Sequence, residues 1–450
     1  MNRLFKYSSL GVLATLFLFN SCTELQENPG RDNEGKPTYM GISISFPKSP
    51  ETRAVTVVDS SATAYESDFT TLDVFIFNTA TGTQMTSQTF LQSDFTQGAS
   101  TATSDTWTMK GGVSISTSTG ERTLLVGLNI PPALLSQLKG IPLGDFLNKV
   151  FTVPMSQLAN QDGLVMFSPK ETLCTFVDDP TDPANHPTVE VVRMVAKVTL
   201  EEASGGIVMT GAGQTFDYEF AVFNSNTKSF MVPKVDYKDP NWDDLSFTPS
   251  DFEDLSANYL AVSPHREAIN TRLAAYAAEN TTEQRRQKEI TRVVVRTKFL
   301  PAEVYVYANG TDASGGFSLD ASHGITVPQT FWSVTEAGGS KRFFFDENTA
   351  QDYQTANPTT TLDKYTDAYC YYNLFLNPRG VYAGVETLSR VFDVYRNDYY
   401  RCTVQKVLAP GNPTPNVTNP DNPPATSSSI QVDVEVLFWN TISDVYELEP

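Results

Sequence analysis

The C-terminal stretch, residues 427–450, most constrains what this chain can fold into. Its apolar residues alternate with more polar ones and are Ile430, Val432, Val434, Val436 and Phe438. This is the period of a β-strand with one buried face. The preceding residues 409–426 are rich in Pro and Asn and predict a tether without regular structure. A well-patterned strand on a spacer is suited to pairing away from its own neighbour, including with another chain.

The composition bounds the fold and excludes some partners. A chain of 450 residues is long enough for two or three domains with proper cores. The chain has 32 Lys and Arg against 52 Asp and Glu, a net charge of −20. Because such a surface repels nucleic acid and anionic membranes, we expect neither nucleic-acid binding nor a basic membrane-binding patch.

The N-terminus has the features of an export signal. Arg3 and Lys6 precede an apolar run at residues 10–19, which is too short for an ordinary transmembrane helix. Ser21 stands immediately before Cys22, as in a bacterial lipoprotein signal, so we predict a signal peptide over residues 1–21 and lipidation of Cys22. The alternative is a plain secretory signal in which Cys22 is incidental. Both interpretations predict an exported chain.

A second alternating stretch follows a polar tether, residues 23–37. Its apolar members are Met40, Ile42, Ile44 and Phe46, and the pattern predicts a strand. A Pro-broken polar loop with Arg53 and Ala54 in its middle comes next. An arginine in such a loop is a site for a trypsin-like protease; the alternative is an ordinary surface charge.

The remaining chain predicts many short strands with turns between them. This pattern favours two antiparallel β-sandwich domains, with short helices near residues 133–138 and 143–150. The Pro- and Asp-rich residues 178–187 form the best domain boundary. Helical spacing predicts a further helix from Ser263 to Glu279.

Residues that carry chemistry are sparse. His186, His265 and His323 are scattered without partners at metal-ligand spacing. No nucleophile elbow or phosphate-binding loop is present in the sequence, so we predict no enzyme activity, no cofactor, no metal and no catalytic residue. Cys370 and Cys402 are able to pair if their strands are neighbours; buried free thiols are the favoured alternative.

These segments resemble the fimbrillin family of Bacteroidetes, in particular the Mfa-type major shaft subunits of type V pili. The likeness covers most of the chain and is densest at its ends. Its most specific part is a Tyr-rich strand, then a Pro/Asn spacer, then the pattern V-x-V-x-V-x-x-W. The matching segments are Cys22, residues 39–46, Arg53-Ala54, residues 191–200, residues 371–378, residues 396–407 and the C-terminal stretch.

The resemblance implies an outer-membrane lipoprotein precursor that is matured by an Arg-specific surface protease. Removal of residues 1–53 would take the displaced strand of Met40, Ile42, Ile44 and Phe46 and leave an open groove. The donor strand of a neighbouring copy, Ile430 to Phe438 with Trp439, would fill that groove by donor-strand exchange. The contact is head-to-tail, so it would propagate into a cell-surface fimbrium.

The complete prediction is a mainly β protein of two transthyretin-like or Greek-key β-sandwich domains with a few short helices and a C-terminal donor strand. Its predicted parts are a signal peptide (1–21), a propeptide (22–53), two domains (54–183 and 184–408) and the tether with donor strand (409–450). Expected partners are other copies of the chain, accessory or anchor fimbrial subunits, the protease, and the membrane through the lipid. Expected roles are adhesion and biofilm formation.

Three alternatives remain at this stage. One is an accessory or tip subunit, which would not need to donate a strand. Another is a monomeric surface lipoprotein that binds glycan or host protein and keeps its N-terminal strand. An exported glycosidase is the third and has the least support, because no carboxylate pair stands out.

Overall fold

A computed structural model describes residues 35–47, 58–59, 63–98, 101, 104–211, 213–235, 238–242, 248–264, 273–320, 322–376, 381–382, 385–386, 392–424 and 429–439. The predicted lipidation site Cys22 and the predicted cleavage site at Arg53 and Ala54 lie outside these residues. Among the described residues, no helix is long and apolar enough to cross a membrane.

Short strands dominate the first part of the chain. The strands are β1 (Pro37–Met40), β2 (Ser43–Pro47), β3 (Val58–Asp59), β4 (Thr71–Asn78), β5 (Gln84–Leu91), β6 (Phe95–Gln97), β7 (Ser104–Met109), β8 (Ile115–Ser118), β9 (Gly120–Leu128), β10 (Val150–Thr152), β11 (Ala159–Asn160), β12 (Gly163–Leu164), β13 (Met166–Phe167), β14 (Thr172–Phe176), β15 (Thr188–Glu190) and β16 (Val192–Arg193). The helices are α1 (Ala64–Ser67), α2 (Pro132–Leu138), α3 (Leu143–Asn148) and α4 (Met155–Leu158).

Two sheets of this part face each other across a shared core, which we call the first core. One sheet has the strand order β16-β13-β9-β4-β5, with β14 also paired to β9; the other has the order β15-β2-β7-β6. The central strands β4 and β9 are almost entirely buried. Aromatic rings fill the core, for example Phe75, whose ring centroid lies 5.0 Å from that of Phe146 on α3. This is sandwich packing.

The second part of the chain repeats this arrangement. Its strands are β17 (Val195–Glu202), β18 (Val208–Met209), β19 (Gly213–Phe223), β20 (Ser225–Asn226), β21 (Lys228–Phe230), β22 (Phe252–Glu253), β23 (Leu260–Ala261), β24 (Ala274–Ala278), β25 (Arg292–Pro301), β26 (Val304–Tyr307), β27 (Phe317–Asp320), β28 (Phe331–Thr335), β29 (Lys341–Phe344), β30 (Thr361–Tyr365), β31 (Tyr369–Phe375), β32 (Val381–Tyr382), β33 (Val385–Glu386), β34 (Asp398–Val407) and β35 (Ile430–Trp439), and its helix is α5 (Glu347–Ala356).

A second core lies between the two larger sheets of this part. One sheet has the order β24-β17-β34-β35-β3 and the other β23-β19-β25-β31. Side chains from both sheets share one cluster, including Leu200, Val295, Cys370 and Cys402. The structure therefore confirms the prediction of a mainly β, sandwich-like fold with few helices.

An insertion between β25 and β31 has a small core of its own. It contains β26 to β30 and α5, and its buried residues are Val334, Phe344, Ala350 and Tyr353. The helix α5 begins at the N-cap Asp346, whose side chain accepts a hydrogen bond from the Thr349 amide at 2.9 Å.

The predicted helix from Ser263 to Glu279 is wrong in its described part. Residues 274–278 form the strand β24, which pairs antiparallel with β17, and Tyr276 lies opposite Lys197. The spacing of apolar residues fits a helix, but the free edge of β17 offers a strand partner, and sheet pairing overrides the local pattern. The two short helices predicted near residues 133–138 and 143–150 are confirmed as α2 and α3.

The predicted domain limits stay a prediction. The strand pairing shows where the chain passes from the sheets of the first sandwich to those of the second. The strands that follow residues 178–187, β15 and β16, still pair with strands of the first sandwich, β2 and β13. The next strand, β17, pairs with β24 and β34 of the second sandwich. The chain therefore passes from one sandwich to the other after Arg193.

Candidate functional site

The strand predicted to be displaced lies inside the first sandwich. β2 pairs antiparallel with β7 and parallel with β15. The four predicted apolar residues are all buried: Met40, Ile42, Ile44 and Phe46 have exposed fractions of 3% or less. Ser43 and Ser45 between them are only partly buried. The predicted alternation is therefore present, but the single predicted strand is two: Met40 ends β1, which pairs with β8, and Ile44 and Phe46 lie on β2. Together they contribute a row of side chains to the first core.

The loop at residues 178–187 holds the chain where β1 passes into β2. The Gly41 amide donates to the Asn185 carbonyl at 3.0 Å, and the Ser43 amide donates to the Pro187 carbonyl at 3.0 Å. The fully buried Asn185 side chain also donates to the Tyr39 carbonyl at 3.3 Å. A Cβ added at Gly41 would lie 2.6 Å from His186 Nδ1, so a larger residue here would displace the His186 side chain.

The C-terminal strand β35 is paired within its own chain. It lies antiparallel to β34, with Cys402 opposite Val434 and Tyr400 opposite Val436. Ile430 is buried, Val432 and Val434 are half-buried, and Gln431, Asp433 and Glu435 are exposed. The predicted alternation is confirmed for these residues. The expectation that this strand stands free of its own neighbour is corrected, because β34 offers a complementary edge with the same alternation.

The tether forms no helix or strand over residues 409–424, as predicted, yet it is bound to the second sandwich. Asn412 and Tyr371 exchange two backbone hydrogen bonds of 2.8 Å. The Tyr365 hydroxyl donates to the Gly411 carbonyl at 2.9 Å. Further along, the Lys288 amide donates to the Pro420 carbonyl at 3.0 Å. These contacts bring the end of the tether back to the start of β35.

The side chain of Trp439, the last described residue, lies in a pocket between the two sandwiches. It is fully buried and belongs to the first core, whereas Ile430 at the other end of β35 belongs to the second. Its ring stacks on Tyr276 with centroids 5.9 Å apart and planes at 13°. The Arg193 guanidinium lies 4.4 Å from the ring centroid, and Arg193 Nη1 donates to the Trp439 carbonyl at 2.9 Å.

A buried carboxylate holds the walls of this pocket together. Glu66 on α1 accepts hydrogen bonds from the Tyr276 hydroxyl at 2.8 Å and from Lys197 Nζ at 3.0 Å. The Glu66 carbonyl accepts from Arg193 Nε at 2.7 Å. Glu66 and Lys197 are each about 99% buried, so the pair is shielded from salt and water. We call Glu66, Arg193, Lys197 and Tyr276 the Trp439 pocket.

The electrostatics of the pocket follow from its burial. Burial lowers the pKa of Arg193 to about 10, and the Glu66 carboxylate acts against this by raising it. Burial and the same carboxylate both raise the pKa of the Tyr276 hydroxyl. Arg193 therefore stays charged and Tyr276 stays neutral at neutral pH, as the observed hydrogen bonds require.

The structure does not bring the predicted displaced and donor strands together. β2 lies in the sheet β15-β2-β7-β6 and β35 lies in the sheet β24-β17-β34-β35-β3. The Trp439 pocket was not predicted. One signal for it is visible in the sequence: Arg193 and Lys197 interrupt the apolar run at residues 191–200, and a charge inside a buried strand requires a buried partner.

Among the described residues, the remaining polar candidates are not brought together, and His265 lies outside these residues. Cys370 and Cys402 are fully buried free thiols on strands of different sheets, which confirms the favoured alternative. His186 Nε2 lies 3.0 Å from the Pro180 carbonyl, and His323 Nδ1 lies 2.7 Å from Asp320 Oδ2. Within the described ranges, no group of three or more His, Cys, Asp or Glu is placed to hold a metal ion.

Comparison with known proteins gives a family for the C-terminal part. Residues 363–444 match the family model described as major fimbrial subunit protein type IV, fimbrillin, C-terminal. This range includes β31, β34 and β35, the strands at the site described above. The search of curated proteins found no match.

Several solved structures of low sequence identity align with most of this chain. A candidate cell adhesion protein from Parabacteroides distasonis is 15% identical, with 90% of this chain and 100% of that chain covered and a TM-score of 0.49. A fimbrilin from Porphyromonas gingivalis is 14% identical, with 90% and 99% covered and a TM-score of 0.44. The tip fimbrial protein Mfa3 from the same organism is 13% identical, with 89% and 100% covered and a TM-score of 0.40.

The C-terminal part of this sandwich protein, which carries β31, β34 and β35, is therefore similar to the C-terminal part of major fimbrial subunits.

Proposed function

We propose that this chain is a structural fimbrial subunit, a major shaft subunit of the Mfa type, that polymerises by protease-triggered donor-strand exchange. The proposal includes export as a lipoprotein precursor lipidated at Cys22 and cleavage between Arg53 and Ala54. The mature subunits would form a fimbrium at the cell surface that supports adhesion and biofilm formation.

The observation that carries the proposal is the position of β2. This strand lies between β15 and β7 within a sheet, yet in sequence it precedes the Arg53 loop and so belongs to the segment that cleavage would remove. An interior strand that leaves a sheet exposes two unpaired edges at once. Only another strand satisfies both edges, and a neighbouring subunit is its source.

The energetics favour replacement over an open groove. The four side chains Met40, Ile42, Ile44 and Phe46 are almost fully buried, and each such side chain contributes about 1.5–3 kcal/mol. The proposed donor residues Ile430, Val432, Val434, Val436 and Phe438 have the same alternation over a longer segment. They are therefore able to restore the buried row and the backbone hydrogen bonds.

One observation favours a second candidate, the stand-alone surface lipoprotein. β35 already forms a complete antiparallel pair with β34 of its own chain, so it has no unsatisfied edge that demands a partner on that side. In the proposed mechanism this pair must open before the strand is donated, whereas in the stand-alone protein it would never open.

The test uses the full-length precursor and two substitutions at the same position. Arg-specific protease should cut the wild type, give a new N-terminus at Ala54 and produce SDS-resistant multimers. Arg53→Lys is the matched control, because trypsin cuts after lysine and an Arg-specific enzyme does not. We expect Arg53→Lys to assemble with trypsin and not with the Arg-specific enzyme, and Arg53→Ala not to assemble with the Arg-specific enzyme. Trypsin is not used on Arg53→Ala, because Lys48 offers it a second site after the displaced strand. A wild-type chain that is cut at Arg53 and stays monomeric would support the stand-alone candidate.

A further inference from the structure

The C-terminal strand β35 connects the two sandwiches. Its first residue, Ile430, packs in the second core, and its last, Trp439, packs in the first core. The strand is therefore held at its body by β34 and at its tip by the Trp439 pocket. To leave its own subunit, the strand must lose both attachments.

We propose that the Trp439 pocket is a strand lock, which holds β35 on its own subunit while the propeptide strand β2 is in place and loosens when β2 is removed. The holding of β35 is independent of the proposed function. Only its consequence, a controlled start of strand exchange, rests on that function.

The lock is made by residues that stay in the mature chain. Arg193 covers one side of the Trp439 ring at 4.4 Å, and Tyr276 stacks on it at 5.9 Å. Glu66 is bound to both Arg193 and Tyr276. In addition, β3 pairs parallel with the end of β35, with Asp59 opposite Trp439. The segment that follows the predicted cleavage site thus contacts the segment that would be donated.

A short path joins the propeptide strand to the lock. β15 pairs only with β2 in the described part of the chain, with Val189 opposite Ile44. The Val191 amide then donates to the Ser45 carbonyl at 2.9 Å, and Arg193 follows two residues later. Removal of β2 would leave β15 without its strand partner. Arg193 would keep its pairing with Met166 of β13, and we expect the loosened residues 188–191 to weaken its position over Trp439.

One polar group in the lock opposes the burial of Trp439. The indole Nε1 of Trp439 is buried without a hydrogen-bond partner among the described residues, and a buried unsatisfied donor opposes burial. Release of the strand gives this group access to water. The pocket is therefore suited to bind Trp439 while β2 is in place and to release it afterwards.

The test measures hydrogen exchange of backbone amides in the uncut precursor. Tyr276→Ala removes one wall of the lock and leaves the donor strand unchanged. We expect the amides of β35 to exchange about tenfold faster, because an aromatic stack and a hydrogen bond to Glu66 are lost. The amides of β4 and β25 should stay as in the wild type. Tyr353→Ala, which removes a buried tyrosine from the insertion, is the matched control and should leave β35 unchanged.

A second variant keeps the test decisive if Tyr276→Ala does not fold. Tyr276→Phe removes only the hydroxyl that donates to Glu66, and a smaller increase of exchange confined to β35 is expected. A folded variant with unchanged exchange in β35 would overturn the lock.

The link to the propeptide is tested by Ile44→Ala in the uncut precursor. Loosening of β2 should increase exchange in β35 as well as in β15, and an increase confined to β2, β7 and β15 would overturn the link. After cleavage, Tyr276→Ala should assemble faster than the wild type, and slower assembly would contradict the lock. If neither cleaved protein assembles while exchange in β35 still responds, the lock stands and the proposed function fails.

Discussion

Ile44 lies opposite Val189 in a parallel pair of strands and opposite Trp107 in an antiparallel pair. A single residue of the predicted propeptide therefore joins two strands of the first sandwich that do not pair with each other. Its side chain is fully buried in the first core. The stability of the precursor should depend strongly on this residue, although the mature subunit would not contain it.

Ile44→Ala should lower the free energy of unfolding of the precursor by about 2–5 kcal/mol, because it leaves a cavity in a packed core. Chemical denaturation of wild type and variant measures the difference. Ser45→Ala, the next residue on the same strand and only partly buried, is the control and should change stability by less than about 0.5 kcal/mol. After cleavage and assembly, filaments from the two variants and the wild type should be equally stable, since the substituted residue is gone.

Val434→Asp should prevent assembly after cleavage. Val434 belongs to the apolar row of β35 and packs against the second core, and a carboxylate placed in a groove loses its hydration without gaining a partner. Sedimentation of protease-treated protein measures the loss. Glu435→Gln is the control, because Glu435 is exposed and should be dispensable. Normal filament yield from Val434→Asp would contradict the role given to this row.

The thiols of Cys370 and Cys402 should be unreactive in the folded protein. Both are fully buried, and burial raises the pKa of Cys370 to about 11 and that of Cys402 to about 12. Since the thiolate is the reactive form, iodoacetamide at pH 8 should label these residues only after denaturation. Mass spectrometry of labelled peptides gives the result; rapid labelling of either residue in native protein would disagree with the burial described here.

Asp239 should make the precursor less stable as the pH rises from about 4. Burial raises its pKa well above the usual value, and the Thr281 and Asn241 amides act against this by lowering it. Between the unfolded and the folded pKa, the folded state binds the extra proton, so stability is present at low pH and is lost as pH rises through the folded pKa. The variant Asp239→Asn has no carboxyl group at this position, so it does not lose stability in this way as the pH rises. Its stability relative to wild type should therefore increase with pH, as urea denaturation from pH 4 to 8 would show; a constant difference would contradict the assignment.

The strands at the two ends of the chain could be predicted because their pattern is local. Period-2 alternation is visible in Met40 to Phe46 and again from Ile430 onward. The first stretch forms β1 and β2 with a break at residues 41–42, and the second forms β35. The strand β24 was mistaken for a helix because Tyr276 and Ala277 also fit helical spacing, and only pairing with β17 decides between the two.

The Trp439 pocket could not be predicted because its contacts join distant parts of the chain. Glu66 lies on α1, Arg193 on β16 and Tyr276 on β24, and these elements meet only in the folded chain. No pattern within a short stretch of sequence relates the three residues. The pairing of β35 with β34 of the same chain could not be predicted for a different reason. Alternation of apolar residues predicts a strand with one buried face, but it does not identify the strand edge with which it pairs. β34 and a neighbour's groove satisfy the same pattern.

The central claim is that β35 leaves β34 and enters the groove of another subunit, and disulfide trapping tests it most directly. All variants carry Cys174→Ser to remove the half-buried thiol. Thr403 lies opposite Asp433, so Thr403→Cys with Asp433→Cys should form an intramolecular disulfide in the precursor. For the exchanged state, Thr108→Cys on β7, whose hydroxyl lies 3.0 Å from that of Ser43 on β2, is mixed with donors carrying cysteine at Gln431, Asp433 or Glu435.

We predict an intermolecular disulfide between the Thr108→Cys subunit and one of the three donor variants, formed only after cleavage. The chain with Thr403→Cys and Asp433→Cys is kept reduced through cleavage and assembly and is then oxidised, and its intramolecular disulfide should no longer form. If the cleaved chains form filaments without the intermolecular disulfide while the Thr403–Asp433 disulfide still forms in every subunit, then β35 stays on its own subunit and the account is wrong.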